Sequence, residues 1–223
     1  MTDTAHPRIA IDGPAGSGKS TIGRGVAAAL QCPYLDTGLM YRAVTLLAIQ
    51  SNIDVTHDDA LAALATRQVF ELVGGDDTGI VVNGVTMQED LHLSAVDRLV
   101  SAVSAHPRVR SVLMQRQREF AEHSIVMVGR DIGTVVLPHA EVKLWITASA
   151  SIRAERRQTQ RGVVDTMAPG AVLGELEARD MQDKTRAVAP LRQATDAIVL
   201  TTDDQTPEQS VTQAMEMIRR CSR

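Results

Sequence analysis

Residues 8–20 read RIAIDGPAGSGKS: a short apolar run, then a glycine-rich stretch ending in lysine and serine. From Gly13 to Ser20 the chain fits G-x-x-x-x-G-K-[ST] in full, and a helical pattern runs from about Gly18 to Leu30. Strand, glycine loop and helix in that order form the opening of a parallel α/β unit. Gly13, Gly16 and Gly18 let the backbone curl until its N–H groups point at phosphate oxygens, and the helix adds its positive end. Lys19 is then placed to bridge the β- and γ-phosphates, and the Ser20 hydroxyl to ligate Mg²⁺. The stretch Gly13, Pro14, Ala15, Gly16, Ser17, Gly18, Lys19, Ser20 and Thr21 is therefore expected to hold the phosphates of ATP.

The remaining runs continue the same pattern. A strand is predicted near Pro33–Leu35, after which Thr37 is placed to cap a helix through about Gln50. Ile125–Gly129 and Val142–Ile146, the second interrupted only by Lys143, are apolar runs, as expected of strands buried on both faces of a parallel sheet. Ala197–Leu200 reads as a last strand, with a helix from about Pro207 to Arg220 behind it. Strands alternating with helices predict an α/β fold with a three-layer, doubly wound parallel sheet. One stretch breaks the alternation. Val69–Val73, Gly79–Val82 and Val85–Met87 are short β-rich runs, and the last two are joined by Asn83-Gly84, a hairpin signal. They predict a small antiparallel β insertion over about 68–88, with a ragged loop as the alternative. From Leu91 to Glu122 the pattern is helical and Arg-rich, broken near His106-Pro107.

Composition narrows the function classes. The 223 residues accommodate one α/β domain with an insertion. Five aromatic residues leave little for stacking bases, and a net charge of −4 argues against a nucleic-acid binder. No apolar run approaches the roughly 20 residues of a membrane span, and the start MTDTAHPR has no signal-peptide core. Cys32 and Cys221 lie far apart without metal-type spacing and read as reduced thiols of a cytoplasmic protein. The basic residues divide into 20 Arg and 3 Lys, so a lysine inside a motif is notable. Coding bias explains the arginine excess as well as function does. No N-K-x-D motif for guanine occurs, and no apolar strand ends in the Asp-Glu pair of large ATP motors. A small-molecule kinase remains, and such an enzyme needs arginine, whose planar fork pairs bidentately with phosphate.

Three further motifs follow. DTGLMYR (36–42) stands directly after the second predicted strand. GRDIGT (129–134) stands at the C-terminal end of a buried strand, where open α/β sheets bind ligands. Arg179, Asp183 and Arg186 share one helix face ahead of AVAPL, a spacing that also fits a surface salt-bridge ladder. With the glycine loop, the insertion and SAHPRVR, in that order, these motifs resemble the bacterial cytidylate kinase family over essentially the whole chain. The resemblance implies a monomeric enzyme that passes the γ-phosphoryl group of ATP to CMP or dCMP. It implies one domain over 1–223, with a core (about 1–36, 123–150 and 190–223), an acceptor part (about 37–122) and a lid (about 151–165).

Residue roles follow from the same resemblance. Arg42, Arg130 and Arg186 are expected around the CMP phosphate, with Thr37 and Tyr41 lining that pocket. Ser101, Arg110 and Asp131 are expected at the nucleoside, where a carboxylate can accept from the cytosine N4 amine and an arginine can donate to N3 or O2. Supporting Mg²⁺ is the alternative for Asp131. Arg179 and Asp183 are expected near the pentose. RAERRQTQR (153–161) resembles the lid over ATP, with Arg157 meeting the transferring phosphoryl group and Arg153 as its partner; a solvated helix face is the alternative. Lys19, Arg130, Asp131, Arg157 and Arg186 form the expected catalytic set. Arg116 and Arg118 read as an exposed helix face. A kinase for another nucleoside monophosphate or a metabolite alcohol, and an RNA-binding protein built on the same loop, remain as alternatives.

Overall fold

A computed structural model of the chain describes residues 7–72, 79–161 and 169–221. The chain runs β1 (Arg8–Asp12), α1 (Lys19–Leu30), β2 (Tyr34–Asp36), α2 (Thr37–Gln50) and α3 (Asp58–Thr66). Next come β3 (Phe70–Glu71), β4 (Ile80–Val82), β5 (Val85–Met87) and a 3-10 turn at Glu89–His92. Then follow α4 (Ser94–Ala105), α5 (Pro107–Phe120), β6 (Ile125–Gly129), a π turn at Ile132–Val136 and β7 (Val142–Thr147). The last elements are α6 (Ala150–Arg161), α7 (Pro169–Thr185), β8 (Ile198–Thr201) and α8 (Pro207–Cys221).

Five strands form one parallel sheet in the order β2-β6-β1-β7-β8. Its central strands bury both faces, which is why they read as apolar runs, broken in β7 only by Lys143, whose Nζ pairs with Asp196. Ile9, Ile11, Val126, Val128 and Ile146 point to one side, against Ile22 and Val26 of α1 and Ala214 and Ile218 of α8. Ala10, Ile125 and Met127 point to the other, against Met40 and Val44 of α2, Val103 of α4 and Leu113 of α5. This is the two-residue period of a strand shared between two helical layers. Each fully buried Ile or Leu contributes about 1.5–3 kcal/mol relative to an exposed one.

The insertion is a separate three-stranded antiparallel sheet, order β3-β4-β5. Val82 faces Val85 across Asn83-Gly84, whose φ angles of 53° and 77° are both positive, as that two-residue hairpin requires. Asn83 also ties the insertion down, since its Nδ2 donates to Gln68 Oε1 at 2.7 Å and its Oδ1 accepts from Val69 N at 2.9 Å. The first strand is shorter than its apolar run: only Phe70–Glu71 pairs, and Val73 lies outside the described residues. Between 91 and 122 the helical pattern resolves into the 3-10 turn and two helices that break at His106, with Pro107 opening α5. Thr37 is not the cap of α2. That role falls to Asp36, whose side chain accepts from Gly38 N at 3.0 Å, while Thr37 turns inward and donates to the Val128 carbonyl at 3.0 Å. Among the described residues no helix is long and apolar enough to cross a membrane.

The glycine loop leaves β1 under tight constraint. Gly13 has φ +151°, and a Cβ there would lie 1.9 Å from the carbonyl oxygen of Ile146 in β7. A backbone oxygen in the sheet cannot step aside. Gly13→Ala is therefore expected to cost at least about 3 kcal/mol in urea unfolding. Gly84→Ala, with open space around it, should cost only about 1–2 kcal/mol from its positive φ. Equal losses would contradict this packing.

Candidate active site

All five parallel strands end on the same side, and every motif meets there. Gly13, Gly16 and Gly18 take φ of 151°, 75° and 89°, which closes the loop around the start of α1. Gly18 caps that helix without a side chain, so no side chain competes for the N–H groups at its start. Lys19 is buried, and its Nζ donates to the Pro14 carbonyl and, at 3.4 Å, to Ser17 Oγ. Burial, then the field of Arg130, holds this ammonium well below its ordinary pKa, against the opposing pull of Asp36, Asp12 and Asp180. Such a cation gains most from an incoming anion. Thr21, by contrast, lies exposed on α1.

Two aspartates brace the loop. Ser20 Oγ donates to Asp36 Oδ2 at 2.6 Å, so a hydroxyl and a carboxylate stand side by side where β2 ends. Oxygen donors of this kind suit Mg²⁺, which is usually held by one or two protein groups together with substrate phosphates. Asp12, at the end of β1, accepts from Ile132 N at 2.9 Å and Gly133 N at 2.7 Å and so anchors the π turn that follows Asp131. Burial pushes the Asp12 carboxyl up to about 6, outweighing the two N–H donors that pull it down.

Opposite the loop lies an alternating chain of arginines and aspartates. Arg110 NH2 donates to Asp131 Oδ2 at 2.5 Å, and Arg186 NH2 donates to Asp131 Oδ1 at 3.0 Å. Arg186 also stands 3.7 Å from Asp183 Oδ1, and Arg130 Nε donates to Asp183 Oδ2 at 3.0 Å. Of the trio Arg179, Asp183 and Arg186, only Asp183 and Arg186 pair with each other, and they face inward, where Asp183 also takes Arg130, rather than forming a surface ladder. Arg110 further lies 5.4 Å from the centre of the Tyr41 ring, and its NH1 donates to the Ser104 carbonyl at 3.2 Å, one helical turn from Ser101 on α4. Arg186 Nε donates to the Ala189 carbonyl at 2.6 Å, which folds AVAPL back over the end of α7. Arg42 donates from NH1 to the Leu91 carbonyl and from NH2 to Asp97, both at 2.7 Å.

Arg179 differs from these. Its Nε is buried without a hydrogen-bond partner among the described residues. Burial, reinforced by Arg130 and Arg42, lowers its pKa to about 10. A guanidinium in that condition marks a place prepared for an anion or a polar ligand group.

The lid arginines share a helix face yet reach different partners. Arg153 is buried and holds the loop itself: NH1 donates to the Ala15 carbonyl at 3.1 Å and to Asp180 Oδ2 at 2.5 Å. Asp180 Oδ1 in turn accepts from Ala15 N at 3.1 Å, so α6 and α7 are both latched to the phosphate loop. Arg156 donates to Thr202 Oγ1 at 2.8 Å and to its carbonyl at 2.6 Å, and that hydroxyl reaches the Ser17 carbonyl at 3.3 Å. Arg157 pairs with Asp97. Of the expected lid, about 151–165, the part from 162 on lies outside the described residues.

Four residues escaped the sequence reading: Asp12, Asp36, Asp97 and Asp180. Asp36 and Asp180 stand inside recognised motifs, and Asp12 directly precedes one, so those three were within reach. Nothing in the sequence around Asp97 points to its role. Arg118 lies exposed as expected, and from there it donates to the Val135 and Val136 carbonyls at 2.8 and 3.0 Å and holds the π turn from outside; Arg116 pairs with Glu119 on its own helix.

A family profile described as cytidylate kinase matches residues 9–220. The chain belongs to the cytidylate kinase family. It is 43% identical over 210 residues to the cytidylate kinase of Desulforamulus reducens, covering 93% of this chain and 95% of that protein. It is 44% identical over 229 residues to the cytidylate kinase of Mycobacterium avium, covering 96% of each. Among solved structures, a gluconokinase from Sinorhizobium meliloti is similar in fold, with a TM-score of 0.50 at 13% identity over 96% of this chain and 92% of that one.

Within this cytidylate kinase family member, Asp12 links the site to pH. Its carboxyl sits at about 6 in the fold against 3.8 ordinarily. An acid with a raised folded pKa adds stability below 3.8 and loses that contribution as pH rises through about 6. The Asp12 carboxyl ¹³C resonance should titrate near 6, and Asp12→Asn should remove part of the stability change between those two values. A midpoint at or below 3.8 would contradict the dry environment assigned to it.

Proposed function

We propose that the protein transfers the γ-phosphoryl group of ATP to CMP or dCMP, giving ADP and CDP or dCDP. The observation that carries this reading is the inward-facing arginine array opposite the glycine loop, with the Arg179 Nε buried and without a hydrogen-bond partner among the described residues. Two phosphate-bearing substrates brought head to head need cations of this kind on both sides of the transferred group. Membership of the cytidylate kinase family supports cytosine as the acceptor base.

The phosphate loop and Lys19 take the triphosphate, with the ammonium exchanging the Pro14 carbonyl for phosphate oxygens. Ser20, backed by Asp36, would hold Mg²⁺, which when bound neutralises charge on the β- and γ-oxygens. Arg42, Arg130 and Arg186 take the acceptor phosphate, with Thr37 and Tyr41 behind them. Arg179 and Asp183 take the pentose. Asp131 uses one lone pair on each oxygen for Arg110 and Arg186 and keeps capacity to accept from the cytosine amine. An oxygen of the acceptor phosphate then attacks the γ-phosphorus as its bond to the β-phosphate oxygen breaks, and ADP departs. That oxygen is largely ionised at neutral pH, so no strong base is required. Arg157, on α6, meets the phosphoryl group in transit. Catalysis is positioning and charge neutralisation.

With ATP and CMP the protein should release ADP and CDP in equal amounts, and ADP without CDP would contradict the reading. Lys19→Ala should lower kcat at least about 10²-fold, because it removes charge where charge is transferred. A loss under about threefold would exclude Lys19 from the reaction. Arg130→Ala should raise KM for CMP about tenfold or more, as expected for loss of a charge-assisted bond, while KM for ATP moves less than about twofold. Equal shifts in both would contradict an acceptor role.

A further inference from the structure

We propose that Asp97 is a positioning residue for phosphoryl transfer, a single carboxylate whose two oxygens hold the acceptor-side Arg42 and the lid-side Arg157 at one point. The proposal rests on the reading above, in which both arginines meet phosphate. Asp97 lies in the first turn of α4, outside every motif that marks the family. Its Oδ1 accepts from Arg42 NH2 at 2.7 Å and its Oδ2 accepts from Arg157 NH2. The three side chains come from α2, α4 and α6, which are remote in sequence: 55 residues separate Asp97 from Arg42 and 60 separate it from Arg157. Their side chains are only 9%, 13% and 18% exposed, so solvent screens the contacts weakly.

The local charge balance fits such a role. Burial pushes the Asp97 carboxyl up, but Arg42, Arg157 and Arg179 pull it down further, so its pKa falls below the ordinary value and it stays ionised. His92, packed beside it, is pushed below its ordinary pKa by burial and by Arg42, so it adds little charge at neutral pH. Asp97 therefore stands among Arg42, Arg157 and Arg179, with Asp183 also acting on Arg179, and it offsets the repulsion that would otherwise drive these arginines apart. It does not exhaust them. A guanidinium carries five N–H donors, and Arg42 directs NH1 to the Leu91 carbonyl and NH2 to Asp97, leaving the rest for phosphate. Asp97 can therefore stay in place through the reaction and spare both arginines the cost of becoming ordered when the substrates arrive.

The test compares Asp97→Ala, Arg157→Ala and the double variant, each checked for folding by thermal melting. Asp97→Ala should lower kcat about tenfold, the cost of re-ordering two long side chains, with KM for ATP within about twofold. Added to Arg157→Ala, the same change should cost no more than about threefold, because half of what Asp97 positions is already gone. Asp97→Asn, which keeps shape and an acceptor oxygen, should show the same coupling and replaces the alanine variant if that one does not fold. Unchanged kcat in the Asp97 variants, a lowered KM for CMP with kcat intact, or full additivity with Arg157→Ala would overturn the proposal. The second of these would make Asp97 a competitor of the acceptor phosphate. A full rate in Arg157→Ala alone would instead remove the reading on which the proposal rests, and the proposal with it.

Discussion

Arginines cannot share a half-dry pocket unless something negative stands between them, and in this protein the separators are aspartates. Asp131 lies between Arg110 and Arg186, Asp183 between Arg186 and Arg130, and Asp97 between Arg42 and Arg157. Arg153 has Asp180. Removing one partner from a buried pair leaves an uncompensated charge and costs about 3–5 kcal/mol, so these carboxylates are conditions for the array to exist. Arginines still outnumber the aspartates, and the excess positive charge, expressed most plainly at Arg179, is what two nucleotides would neutralise.

The parallel sheet makes this convergence possible. Because β1, β2 and β6 end on one side, Asp12, Asp36 and Arg130-Asp131 reach the same space from neighbouring strands. Each end does two jobs. Asp36 caps α2 with one oxygen and takes the Ser20 hydroxyl with the other; Asp12 closes β1 and fixes the turn that aims Asp131. Asp180 links α7 to the backbone of the glycine loop and to Arg153 of α6, so all three are built on one frame. Loop flexibility is therefore confined by side chains that belong to other elements.

Sequence reading recovers the parts of this design that have a local cause. GPAGSGKS is legible because three glycines must stand where the backbone takes positive φ. The central strands are legible because burial on both faces leaves no room for polar residues. Motifs single out Arg110, Arg130 and Arg186, and the structure joins the three through Asp131 and Asp183. The aspartates are harder to see, because an aspartate's role depends on what stands opposite it, and the partners of Asp97 come from 55 residues before and 60 residues after. Helix spacing likewise put Arg153 and Arg157 on one face but did not separate them. One turn apart on α6, Arg153 turns down to the loop at Ala15 and Arg157 across to α4, because their partners come from different elements. Thr37 misleads for a similar reason: Asp36, one residue earlier, accepts the helix N–H more strongly, and the threonine is used to fasten α2 to β6.

In the proposed function Asp131, fixed between Arg110 and Arg186, reads the acceptor base while the arginine array holds its phosphate. Comparison of kcat/KM for CMP, dCMP and UMP at fixed ATP tests it most directly. UMP presents a carbonyl where cytosine presents the N4 amine, so it sets an acceptor against the Asp131 carboxylate. CMP and dCMP should exceed UMP by at least about 10²-fold, within the limit of about 10⁴–10⁵-fold by which a site built for a hydrogen bond can reject a ligand lacking it. UMP used as well as CMP would contradict it.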